Sequence, residues 1–207
     1  STFISCYPRN CSCIKLLKNE ENLIENIKKF NGCFLYLPTF RSDGTDYTHP
    51  LESLKIREFL KKNNCLWIEK PHSASKIVFK DTGDNIICLE SSFDVNVLYP
   101  YISAIVSDYS SCVFDAIYRK IPTIIYAPDL YEYQNGSNGL LFDLNDYCKP
   151  ILTMNLKDLF HQMILISKFD FFSQKGMLEL YSKIREEHWS NIDSSYEKIW
   201  SDIKKLN

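Results

Sequence analysis

The residues best suited to chemistry fall in four short polar stretches, each directly behind an apolar run. Ser107-Asp108-Tyr109-Ser110-Ser111 closes the apolar run 104–106 and precedes a helical pattern over 111–119. A turn that opens a helix presents unpaired amide N–H groups and the positive end of the helix dipole, which suits a phosphate or pyrophosphate. The hydroxyls of Ser110 and Ser111 add donors, although a serine in this setting equally serves as an N-cap. Pro38-Thr39-Phe40-Arg41 follows the run 34–37, and Arg41 carries the planar fork for a bidentate phosphate contact. A surface arginine would read the same way.

Lys70-Pro71-His72-Ser73 follows the run 66–68. There His72 has the chemistry of a donor to a phosphoryl oxygen or of a general acid–base, and also that of a merely solvated loop histidine. Ala127-Pro128-Asp129-Leu130-Tyr131-Glu132-Tyr133, followed by two glycines in 135–139, comes after the run 123–126. Its acids and tyrosines are suited to ribose or polyol hydroxyls and a base ring, and the segment reads as a turn-rich loop. His49, His161 and His188 have weaker contexts.

These stretches need a scaffold that brings them together. The runs 34–37, 66–68, 86–89, 104–106 and 123–126 read as short buried strands. Helical patterns lie between them over 20–30, 51–63, 95–102 and 111–119. Alternating strands and helices imply a parallel sheet covered on both faces, with ligands bound beyond the carboxyl ends of the strands. From residue 155 the pattern is wholly helical, over 156–167, 171–187 and 193–206. A single domain over 1–207 with a helical C-terminal cover is expected.

Composition sets the outer bounds. With 207 residues, 45% hydrophobic and 24% charged, the chain can bury a sizeable core. A net charge of -2 argues against a generally nucleic-acid-binding surface. The eight cysteines lack paired CxxC spacing and several sit in apolar runs, so buried free thiols are expected rather than disulfides or zinc. The sequence holds no DxD metal motif, no GxxxxGK[ST] loop and no GxGxxG. These absences disfavour a metal-dependent glycosyltransferase, an ordinary kinase and a dehydrogenase. Phosphate binding by helix terminus, arginine and histidine, with no metal or other cofactor, is the expectation that remains. No run approaches a membrane span.

The order of the segments resembles the CDP-glycerol glycerophosphotransferase family, the teichoic-acid and capsule polymerases. The residues that carry the resemblance are Cys6-Tyr7-Pro8-Arg9-Asn10-Cys11, Pro38-Thr39-Phe40-Arg41 and Lys70-Pro71-His72-Ser73. To these are added Ser107-Asp108-Tyr109-Ser110-Ser111 with Asp115, and Tyr126-Ala127-Pro128-Asp129-Leu130-Tyr131-Glu132-Tyr133. The stretch from Asp108 to Tyr133 agrees in spacing as well as letters. Cys6 and Cys11 stand where the family pattern has glycine and aspartate, and Ser73 follows His72 where it has proline.

The resemblance implies the Rossmann-like C-terminal half of a GT-B fold, with 1–16 a hinge region and an acceptor-side N-terminal domain outside the chain. It implies a CDP-polyol donor and a surface-polymer acceptor. Ser110, Ser111, Arg41, Asp108, Asp115, Asp129, Glu132 and Arg9 fall on its donor side, and His72 at the phosphoryl group. The scattered thiols suit a reducing, cytoplasmic setting, either free in the cytoplasm or at the inner face of the membrane. A nucleotide-sugar glycosyltransferase and a non-catalytic module of a polysaccharide-assembly protein are the alternatives.

Overall fold

The computed structural model describes residues 16–41, 48–72, 74, 83–136, 139–189 and 204. Within them six parallel strands form one sheet in the order β3-β2-β1-β4-β5-β6. The strands are β1 (Gly32–Leu37), β2 (Cys65–Glu69), β3 (Ile86–Cys88), β4 (Ala104–Ser107), β5 (Thr123–Tyr126) and β6 (Leu152–Thr153). This is the parallel sheet covered on both faces that the alternating pattern implies, in the Rossmann-like form that the family resemblance implies. The strand order reverses between β1 and β4, so the two loops leaving that pair diverge to opposite faces and open a crevice.

Alternation along each strand sends side chains to two separate cores. Phe34, Tyr36, Trp67, Val106, Ile124 and Tyr126 face one side, against α2 (Leu54–Lys62) and α6 (Leu156–Lys168). Leu35, Leu66, Ile68 and Ile105 face the other, against α1 (Lys18–Ile27), the 3-10 turn Val95–Tyr101 and α3 (Cys112–Tyr118). Farther along that second face, Ile125 packs with α3 and α7 (Met177–Trp189). Leu35, Leu60, Leu66 and Ile68 are fully buried, and each contributes about 1.5–3 kcal/mol of transfer free energy.

Local signals fix where the helices begin. Glu20 Oε2 accepts from Leu17 N at 2.6 Å at the start of α1. Ser53 Oγ accepts from Ile56 N at the start of α2, and Asn155 accepts from Asp158 N at the start of α6.

Several expectations are corrected. The pattern over 171–187 is not one helix: a 3-10 turn, Phe171–Ser173, is separated from α7 by Gly176, whose φ of +83° favours glycine. The pattern over 95–102 is a 3-10 turn with Pro100 inside it, where an α-helical hydrogen bond cannot form. The region after β5 is not all loop, because it carries the short helices α4 (Leu130–Asn135) and α5 (Leu144–Tyr147). Cys33, Cys65 and Cys148 are buried free thiols as expected, whereas Cys88 is exposed at the end of edge strand β3. The hinge region, apart from Leu16, and the pattern 193–206, apart from Lys204, lie outside the described residues.

Candidate functional site at the carboxyl edge of the sheet

The polar stretches behind β1, β4 and β5 converge at the crevice between β1 and β4. Arg41, at the end of the loop after β1, sits between two carboxylates. Its Nε donates to Asp129 Oδ2 at 2.6 Å and its Nη2 to Asp108 Oδ2 at 2.9 Å. A second Nη2 contact reaches Asp129 Oδ1 at 3.1 Å, and Nη1 donates to Thr39 O at 2.7 Å. The three side chains are 7% (Arg41), 2% (Asp108) and 7% (Asp129) exposed. Arg41 and the two aspartates therefore build the floor of the crevice, where sequence alone suggested groups open to a ligand.

Asp108 also ties the loops of the two central strands together. It accepts from Thr39 N at 2.9 Å, from Thr39 Oγ1 at 2.5 Å and from Tyr109 N at 2.7 Å. Beneath it, Ser107 Oγ donates to Leu37 O at 2.6 Å. Tyr109 Oη donates to Asp129 Oδ1 at 2.9 Å, and its ring stacks on Tyr133 of α4 at 3.7 Å and 17°. The Arg41 guanidinium lies 4.8 Å and 5.2 Å from those two ring centroids, within cation–π range.

Burial sets the electrostatics. It opposes the charge on Arg41, but hydrogen bonds and attraction from Asp129 and Asp108 outweigh it and hold the arginine above its ordinary pKa. Burial raises Asp108 above the usual carboxylate range, with Arg41 and Thr39 pulling the other way. Burial, then the neighbouring Asp129, raises Tyr109.

Ser110 and Ser111 form the rim of this floor. Ser111 occupies the N-cap position of α3 with αR backbone and makes no side-chain cap bond, while Ser110 Oγ accepts from Cys112 N at 3.4 Å. Ser111 is exposed and Ser110 half-buried. Asp115 is buried inside α3, one turn on. Asp129 takes the N-cap position of α4, which places Glu132 exposed in that helix's first turn. His72 is exposed after β2, with its ring stacked on Phe40 at 6.1 Å and 23°. Arg9 lies outside the described residues.

One histidine with a weak sequence context is held firmly in the fold. His49 Nε2 lies 2.9 Å from Glu69 Oε2 at the end of β2, and its Nδ1 accepts from Leu51 N at 3.1 Å. Because Nδ1 accepts, Nε2 carries the hydrogen and donates to Glu69. His49 N also donates to Glu52 Oε1 at 2.9 Å, so the spacing of His49 and Glu52 around Pro50 was a legible capping signal. Beside it, Tyr126 Oη donates to Thr48 O at 2.8 Å. Among the described residues no group of three His, Cys, Asp or Glu is arranged to hold a metal ion, and no helix is long and apolar enough to cross a membrane.

A parallel sheet with polar loops gathered at its strand-order reversal defines a Rossmann-like class of α/β architecture. The chain belongs to the CDP-glycerol:poly(glycerophosphate) glycerophosphotransferase family, whose model matches residues 2–190. It is 30% identical over 162 residues to a teichoic acid poly(glycerol phosphate) polymerase of Bacillus spizizenii, covering 72% of this chain and 41% of that protein. It is also 30% identical over 104 residues to a teichoic acid ribitol-phosphate primase of the same organism, covering 48% and 26%. Among solved structures, a variant of the wall teichoic acid polymerase TagF soaked with CDPG shares the fold with a TM-score of 0.66 at 18% identity. That match covers 97% of this chain and 50% of the other. The chain thus spans half or less of the length of these relatives.

Proposed function

We propose that this chain is the donor-binding unit of a glycerophosphotransferase-type enzyme, which transfers a polyol phosphate from a CDP-activated donor to a growing surface polymer. In the reaction an acceptor hydroxyl attacks the polyol-bearing phosphorus. The new O–P bond forms as the bond to CMP breaks, and the hydroxyl proton passes to a base on the acceptor side. Such chemistry asks chiefly for alignment and for donors aimed at phosphate oxygens.

The observation that carries the reading is the clamp of Asp108 on Thr39, which fixes the Ser110–Ser111 turn at the strand-order reversal. In the proposal, the amides and hydroxyls of Ser110 and Ser111 take the pyrophosphate. Arg41, Asp108, Asp115 and Asp129 brace that turn from below, and Arg41 adds positive charge beneath it. Glu132, exposed on α4, takes ribose hydroxyls. His72 donates to the phosphoryl group undergoing transfer, and Arg9 belongs to the donor side by resemblance alone. No metal or other cofactor is assigned a role. The proposed setting is the cytoplasm, at or near the inner face of the membrane, where an activated donor meets a surface polymer under construction.

The choice of donor is tested by comparing CDP-glycerol, CDP-ribitol and a UDP-sugar as ligands of the chain. Preference for either CDP-polyol supports the reading. Binding of the UDP-sugar alone would replace it with a nucleotide-sugar glycosyltransferase.

A further inference from the structure

Phe40 is flanked on both sides by residues that hydrogen-bond the same carboxylate. Thr39 donates to Asp108 through its amide at 2.9 Å and its hydroxyl at 2.5 Å, and Arg41 donates to Asp108 through Nη2 at 2.9 Å. The backbone at Phe40 is therefore fixed to the β4 loop from either end. Its ring stacks on the imidazole of His72 with centroids 6.1 Å apart, inside the range in which offset aromatic pairs attract. His72 is otherwise exposed, and an exposed ring without such a neighbour exchanges between rotamers on a fast timescale.

A second restraint acts on the same ring. The Ala74 amide donates to His72 Nδ1 at 3.1 Å. A ring nitrogen that accepts a hydrogen bond carries no hydrogen, so the neutral imidazole has its hydrogen on Nε2. That nitrogen meets no hydrogen-bond partner among the described residues.

We propose that Phe40 is a positioning residue for His72: its ring, together with the Ala74 amide, holds the imidazole as the Nε2–H tautomer with that donor available to a phosphoryl oxygen. The clamp at Asp108 thereby sets both the Ser110–Ser111 turn and, through Thr39 and Phe40, the histidine in the loop behind β2. The functional meaning rests on the donor-binding reading above. The stack and the tautomer are properties of the protein alone, and they are tested alone.

The experiment is a long-range 1H–15N correlation spectrum of the histidine-labelled chain, compared with Phe40→Leu, Phe40→Trp and Ala74→Pro. The wild type is expected to show one His72 tautomer, Nε2–H, with its carbon-bound ring protons shifted by the Phe40 ring current. Phe40→Leu loses that shift and drifts toward a tautomer mixture, while Phe40→Trp restores both. Ala74→Pro removes the amide hydrogen without touching the β1 loop. It must change the tautomer even if Phe40→Leu fails to fold. A wild-type His72 of mixed or Nδ1–H tautomer, or spectra of His72 unchanged by Phe40→Leu, would overturn the inference. A titration of the wild type with CDP-glycerol separates this from the broader reading. A chain with the stacked tautomer but no donor binding sinks the donor assignment only. Donor binding with a freely rotating His72 sinks the positioning role only.

Discussion

Asp108 and Thr39, 69 residues apart in sequence, are joined by a 2.5 Å hydroxyl–carboxylate hydrogen bond and a 2.9 Å amide–carboxylate bond across the crevice between β1 and β4. This pair decides the shape of the site. The two loops it links leave adjacent parallel strands toward opposite faces, and without a cross-tie nothing in the sheet itself would fix their separation.

Removing the tie should therefore be costly. Asp108→Ala removes one of the carboxylates that Arg41 pairs with and deprives Thr39 and Tyr109 of an acceptor. Breaking a buried pair from one side typically costs about 3–5 kcal/mol, and that loss is expected in urea denaturation. Asp108→Asn keeps the shape and some of the hydrogen bonds and should lose less. A loss below about 1 kcal/mol for the alanine variant, the range of an exposed pair, would show that the clamp is not a structural element.

The tyrosine stack is a second support. Tyr109→Phe keeps the ring on Tyr133 but withdraws the hydroxyl from Asp129, and hydrogen bonds to charged groups are worth about 1.5–3 kcal/mol. Tyr133→Leu keeps the Tyr109 hydroxyl and removes the stack, worth about 0.5–1.5 kcal/mol beyond lost area, together with the Arg41 contact on the Tyr133 ring. Thermal unfolding of the two variants and the double variant measures both terms. Strict additivity would contradict a single coupled cluster.

His49 is assigned a structural role by its two occupied ring nitrogens. His49→Ala is expected to destabilise by about 1–3 kcal/mol, because Glu69 loses its partner and Leu51 N its acceptor. Affinity for a nucleotide should stay unchanged. Weakened CDP binding in a stably folded His49→Ala chain would move this histidine into the site.

Much of this architecture was legible and some was not, for physical reasons. All five expected strands are present because each is a short apolar run bounded by turn residues, and the run 123–126 matches β5 residue for residue. β6 escaped because two residues carry no periodicity, and α4 and α5 because six and four residues span fewer than two helical turns, too few to repeat a pattern. Each polar stretch lies directly behind its strand as read. What no local pattern reveals is that Arg41 turns back onto Asp108 and Asp129, 67 and 88 residues away. An arginine selected for a bidentate phosphate contact and one selected for a bidentate carboxylate contact are written with the same letter. His49 was passed over for a related reason: its partner Glu69 is 20 residues on and becomes a neighbour only when β1 and β2 pair.

The buried thiols give the chain an alkaline limit. Burial pushes Cys33 and Cys148 each up to about 12, against an unfolded thiol value of about 8.5. A raised folded value for an acid means that folding favours the neutral form. The contribution is complete below about pH 8.5 and is lost as pH climbs toward 12, at about 1.4 kcal/mol per pH unit for each thiol. Replacing both with alanine lowers stability at pH 7 through the cavities left behind, and should flatten the decline between pH 8.5 and 10.5. Parallel curves for the two proteins would contradict the assignment.

The central claim, that the Ser110–Ser111 turn receives the diphosphate of a cytidine nucleotide, is tested most directly by calorimetric titration of the chain with CDP-glycerol, CDP, CMP and UDP. The comparison is between the wild type and Ser111→Ala. CDP and CDP-glycerol are expected to bind more tightly than CMP and UDP. Ser111→Ala is expected to weaken them by about 1.5–3 kcal/mol, roughly 10- to 150-fold, the loss of one hydrogen bond to a charged group. Tight CDP binding that Ser111→Ala leaves unchanged, or equal binding of CMP and CDP, would rule out diphosphate binding at this turn.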